Sequence, residues 1–117
     1  MMCELKVSIQ KGGHVDDVAE NIIYVKVTNS GLIVKDILGN SKKLENAVIT
    51  EININKESLT LSYQPILTKV QHFQNITDSI ISDGQYSPEL ESVWDEIKAE
   101  ADSTIRDLWK KFGGKKN

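Results

Sequence analysis

The residue best suited to chemistry in this chain is its single cysteine, Cys3, in the opening run Met1-Met2-Cys3-Glu4-Leu5-Lys6-Val7-Ser8-Ile9. A thiolate is a soft metal ligand. Close to an amino terminus, an amine and backbone amide nitrogens lie within chelating reach of the sulfur. Counted from Met1, the amine, the amide nitrogens of Met2 and Cys3, and the sulfur can close fused rings around one ion. Counted from Met2, the set contracts to the amine, one amide nitrogen and the sulfur. Both sets are planar and rich in nitrogen and sulfur, which suits square-planar Ni(II) or Cu(II) better than tetrahedral zinc. Cys3 and Met2 are therefore the candidate metal-holding residues. A structural reading stands beside this one. Strand alternation would put Cys3 on one face with Leu5, Val7 and Ile9, and free cysteine is among the most buried residue types.

Other candidates are weaker. His14 follows the turn Lys11-Gly12-Gly13 and is a conceivable further ligand, although a turn histidine is usually just solvated. His72 lies off the main apolar stripe of its segment, as a surface residue does. Asp16, Asp17 and Glu20 make an acidic cluster, best read as a solvated face because oxygen-ligand sites need convergent geometry. Gly12-Gly13 lacks the rest of any dinucleotide fingerprint, and no nucleophile motif or metal-protease spacing appears. The chain is expected not to be an enzyme.

These residues sit in a chain of 117, long enough for one compact domain or a small domain with an appendage. A formal net charge of −3 offers no basic excess for nucleic acid. One cysteine cannot form an internal disulfide, and with no signal peptide the chain reads as cytoplasmic. No apolar run approaches the roughly 18 residues needed to cross a bilayer, so no membrane partner is expected.

The elements that must position Cys3 begin immediately after it. Glu4 to Gln10 alternates with period two, as a strand with one wet face does. His14 to Glu20 fits a short strand or an irregular loop. Asn21 to Thr28 is a strand rich in β-branched and aromatic residues, and Leu32 to Ile37 pairs back after Asn29-Ser30-Gly31. Gly39-Asn40 marks a tight turn, Val48 to Asn55 alternates, Asn55-Lys56-Glu57 turns the chain, and Leu59, Leu61 and Tyr63 alternate in a last strand. Five to six short strands with tight turns predict a small antiparallel β-barrel or sandwich over residues 1–64.

At Pro65 the period changes to helical. Ile66, Val70, Phe73, Thr77 and Ile80, widened by Leu67 and Ile81, predict a helix ended by Asp83-Gly84. Ser87-Pro88-Glu89 opens a second, with a hydroxyl cap and Glu89 and Glu91 at its positive end. Its stripe is Leu90, Trp94, Ile97, Ala101, Ile105, Leu108 and Phe112, with Gly113 as the stop. Lys98–Asp102, Asp102–Arg106 and Asp107–Lys111 are spaced for support at i,i+4. Residues 65–117 thus form a two-helix extension, whose large residues Trp94, Leu108, Trp109 and Phe112 make self-association or a protein-interaction role plausible.

Met2-Cys3-Glu4-Leu5-Lys6-Val7, then Asp36-Ile37-Leu38-Gly39-Asn40 with Lys42-Lys43-Leu44, and the closing Ile49-Thr50-Glu51-Ile52 and Leu59-Thr60-Leu61, resemble the CooT family. These very small proteins begin Met-Cys and are about as long as Met2 to Ser62 here. Their founding member is associated with nickel supply to carbon monoxide dehydrogenase, and members have also been grouped as predicted RNA-binding proteins. The resemblance implies an Sm/SH3-like barrel, a homodimer, Ni(II) bound through the cysteine after the initiator methionine, and a nickel enzyme or maturation partner. Only that cysteine transfers by position, onto Cys3. Here Met1 precedes the Met-Cys pair, and Pro65 to Phe112 is absent from the family's minimal form. An RNA-binding module is the alternative. It rests on fold analogy, since the aromatics are concentrated in the helices and the basic spots are small.

Overall fold

The alternation in the first half of the chain becomes six strands: β1 (Leu5–Lys11), β2 (His14–Thr28), β3 (Gly31–Asp36), β4 (Ser41–Glu45), β5 (Ala47–Asn53) and β6 (Ser58–Tyr63). The computed structural model describes residues 3–114. All six strands lie in one sheet, in the order β4-β3-β2-β1-β6-β5. Neighbours pair antiparallel, as expected for a small barrel of hairpins, except β1 and β6. Those two run parallel, from Lys6 opposite Ser58 to Gln10 opposite Ser62.

β4 and β5 are the two ends of the sheet, yet a single residue, Asn46, connects them. Asn46 has φ 60°, in the left-handed region that asparagine tolerates better than most residues. Its N–H donates to the Ser30 carbonyl at 2.6 Å, and its carbonyl accepts from the Gln64 N–H at 2.7 Å. Ends that share one residue force the sheet to curl, which makes a half-barrel. The core inside it holds Val7, Leu32, Val34, Leu59 and Leu61, none more than 2% exposed.

β2 joins two segments that the sequence pattern separates. The expected break near Glu20 is a bend within one strand: Asn21 takes φ 57°, and the pairing register shifts between Ile22 and Tyr24. An extra residue of this kind bends a strand and increases its twist. One strand can then pair with β1 through its first half and β3 through its second.

Two compact units part between Thr68 and Lys69, inside helix α1 (Pro65–Asp83). Helix α2 (Glu89–Leu108) follows and continues into a π-helical turn, Trp109–Gly113. The second unit packs around Ile76, Val93 and Ile97, with Phe73, Ile80 and Leu90 against them. The expected stripe therefore faces the core only in part, at Leu90 and Ile97. Val93, outside it, is 1% exposed, whereas Ile105, Leu108 and Phe112 lie mostly in solvent and Trp94 is half exposed beside Phe73. Spacings of three and four fit both faces, so only the partner helix distinguishes them. The Ser87 hydroxyl makes no cap; its carbonyl accepts the Leu90 N–H instead. Glu89 and Glu91 are engaged by His72 and the Tyr86 hydroxyl, at 3.1 and 2.8 Å. Lys98 pairs with Asp95 at 3.4 Å, three residues back, in place of Asp102. Among the described residues no helix is long and apolar enough to cross a membrane.

Two predictions follow from the sheet. Gly31 opens β3 at φ 153°, where an added Cβ would overlap the Leu44 carbonyl oxygen, a backbone atom that cannot swing aside. Gly31→Ala is expected to cost about 2–3 kcal/mol, seen as a lower urea midpoint at unchanged slope. The β3–β4 turn is closed by Asp36, which accepts the Leu38 and Asn40 N–H groups, both at 2.9 Å, and the Asn40 side-chain amide at 3.2 Å. Those bonds, the Asn40 N–H foremost, hold its carboxyl below the ordinary value of 3.8. A depressed folded pKa gives stability that is present above the ordinary value and lost as pH falls through the folded one. Protection of the Leu38 and Asn40 amides from hydrogen exchange should collapse as Asp36 protonates below 3.8, and Asp36→Ala should remove that acid step.

Candidate metal centre at the amino terminus

β1 is an inner strand, hydrogen-bonded to β2 on one edge and β6 on the other. Its start is secured by the Lys6 N–H, which donates to the Glu57 carbonyl at 2.9 Å. Regular strand structure begins at Leu5, so the alternation stops short of the cysteine. Val7 is buried and Leu5 and Ile9 pack against the core, but Cys3 is an exposed free thiol. The core-cysteine reading is thereby corrected: Cys3 precedes the strand, and the period-two rule does not reach it. Met2 lies outside the described residues.

Next to Cys3, the chain enters the rim of an open hollow of about 600 Å³, lined by Glu4, Lys6, Glu20, Lys56 and Glu57 among others. Two residues of this lining, Asn21 and Glu57, have left-handed backbones at φ 57° and 50°. Three carboxylates and two ammonium groups thus gather in the hollow at the start of β1. Lys6 also reaches Asp17 at 3.4 Å, an exposed pair of little energetic weight. Sequence reasoning missed this grouping, because Glu4, Glu20 and Glu57 meet only once β1 lies between β2 and β6.

Among the described residues no three histidine, cysteine, aspartate or glutamate side chains converge as a metal site. Cys3 therefore offers one exposed sulfur beside the main-chain nitrogens of its own segment. One exposed sulfur beside such nitrogens fits a flat-coordinating Ni(II) or Cu(II) ion and does not fit a closed zinc cage.

The other candidates fall elsewhere. His14 pairs with Lys11 at the far end of β1, more than about 20 Å along the strand from Cys3, so it joins no common ion within one chain. His72 bonds Glu89 across the helical hairpin. Asp16 and Asp17 are exposed on β2, as a solvated face should be. Tyr24 and Tyr63 are strand aromatics, and each carries a lysine ammonium over its ring, Lys35 at 5.2 Å and Lys11 at 4.3 Å.

A family model described as CO dehydrogenase accessory protein CooT matches residues 2–62, more than half of the chain. This chain belongs to the CooT family. The matched span takes in Cys3 and ends one residue before the end of β6, so the CooT region is the curled sheet. The helices lie beyond it. The crystal structure of a CooT candidate from Carboxydothermus hydrogenoformans is similar over 53% of this chain and 98% of that one, at 22% identity and a TM-score of 0.49. No curated protein matches.

Exposure of the CooT-region cysteine has a direct readout. Cys3 should react with Ellman's reagent in the native protein at the rate of the urea-unfolded chain, one thiol per chain. Reaction released only by denaturant would contradict the exposed placement.

Proposed function

We propose that this CooT-family chain is a non-enzymatic nickel-binding accessory protein. It holds Ni(II) as cargo through the Cys3 thiolate and the neighbouring backbone nitrogens, Met2 included. The observation that carries this reading is the exposure of the only cysteine, free and just ahead of a strand secured on both edges. An immobile strand gives the ligand a fixed base, and an open approach lets a donor or recipient reach the ion. Thiolate and deprotonated amides form a strong-field set that favours Ni(II) in a plane. The acidic rim of Glu4, Glu20 and Glu57 adds a favourable field for an arriving dication, partly offset by Lys6 and Lys56. The proposal includes an enzyme of the carbon monoxide dehydrogenase type as recipient, following the family description, and a homodimer, which the sequence resemblance alone implies.

Nickel titration of the purified full chain, followed by thiolate-to-metal charge-transfer absorption, tests the reading. Wild type should saturate at one ion per cysteine. Cys3→Ala should weaken binding by more than the roughly 10–100-fold lost with a group that merely orients a metal ligand. Affinity should rise with pH, because thiol and amide protons leave as the ion binds. His14→Ala should change nothing. An unchanged spectrum for wild type, or identical spectra for wild type and Cys3→Ala, would sink the proposal.

A further inference from the structure

We propose that the end of the helical extension is a docking surface for an anionic lipid bilayer, on which it lies without crossing. Ile105, Leu108, Trp109 and Phe112 are 67, 53, 67 and 58% exposed. At 3.6 residues per turn they share one arc about 100° wide, with Arg106, Asp107, Lys110 and Lys111 on the remainder. The π-helical turn widens the spacing from Trp109 onward without taking Phe112 off that side. Trp109 is held in place: its ring lies so close against Gly113 that any Cβ there would overlap it.

Charge separates in the same place. Residues 103–117 carry Arg106, Lys110, Lys111, Lys115 and Lys116 against Asp107 alone, a local excess of +4 in a chain of net −3. Complementing the helix dipole accounts for the lysines of the last turn, but that effect fades beyond it. Lys115 and Lys116 come after Gly113-Gly114 in the sequence, so the cationic run continues past the last helical turn. An apolar arc with tryptophan and phenylalanine, backed by cations, is the pattern of a helix seated at the headgroup boundary of acidic lipid. The expectation of no membrane partner rested on span length, which governs crossing and not contact with the surface.

Other occupants fit less well. Four partly exposed side chains offer a few hundred Å², well short of the roughly 800 Å² per partner typical of a stable dimer. A second copy meeting the arc end to end would also bring the same cations together. Nucleic acid is disfavoured because isoleucine and leucine stack on no base, and the cations sit opposite the rings instead of between them.

Co-sedimentation of the full chain with phosphatidylcholine vesicles, with and without phosphatidylglycerol, decides the matter. Binding should require phosphatidylglycerol and weaken with salt. Lys110→Gln with Lys111→Gln should lower partitioning about 30-fold, the combined weight of two lysines at an anionic leaflet. Trp109→Ser with Phe112→Ser should abolish it, and Lys110→Arg with Lys111→Arg should preserve it as the control for folding. Absence of pelleting, or equal pelleting with both vesicles, overturns the proposal. So does a change of sedimenting mass in the Trp109→Ser and Phe112→Ser variant without vesicle binding, which marks a seam between copies. Salt-sensitive retention of a mixed RNA pool without vesicle binding overturns it likewise.

Discussion

The placement of β1 between an antiparallel and a parallel neighbour is the constraint on which the functional end of this protein depends. An edge strand can fray, slip or pair with another chain, whereas an inner strand has both rows of backbone groups engaged. Register matters equally. A slip of one residue would turn Val7 outward and bring Lys6 into the core, so burial of Val7 pins the pairing on both sides. Cys3 inherits that precision because so few residues separate it from the first secured pair. It stays outside the strand, which leaves its sulfur accessible.

The curl of the sheet has a similarly local cause. Asn46 accepts a left-handed backbone and lets β4 and β5, the two ends of the sheet, follow one another directly. Gly31 lies against this joint, with the Leu44 carbonyl where a side chain would otherwise be. The parallel pairing of β6 with β1 brings the β5–β6 turn, with Lys56 and Glu57, to the start of β1 beside Glu4 and Glu20. Core formation and the charged hollow at the start of β1 are therefore both set by the strand order of one sheet.

The two units divide the chemistry between them. The CooT region places an exposed thiol just ahead of its inner strand β1 and packs its buried apolar side chains in one core. The helical unit has a much smaller core, centred on Ile76, Val93 and Ile97, and presents several large apolar side chains to solvent. A minimal hairpin core suffices to hold two helices together while leaving the final turns of α2 free to serve a surface. The proposed metal site and the proposed bilayer contact then occupy separate parts of the chain.

Residue order alone was enough to show β-alternation giving way to helices at Pro65, and the turns at Gly12-Gly13, Gly39-Asn40 and Asp83-Gly84, while the short strand Ser41–Glu45 went unread. Each of these rests on a period of two or 3.6 residues, or on backbone freedom at one position, and such properties act within a few neighbours. Only the tertiary structure decided that β1 and β6 run parallel, that β2 bends at Asn21 and stays one strand, that Val93 faces inward in place of Trp94, and that Cys3 is exposed. Those outcomes depend on which distant segment lies alongside. The pairing of Lys6 with Ser58, and of one helix face with another, is chosen by burial summed over the whole core, and no local pattern carries that sum.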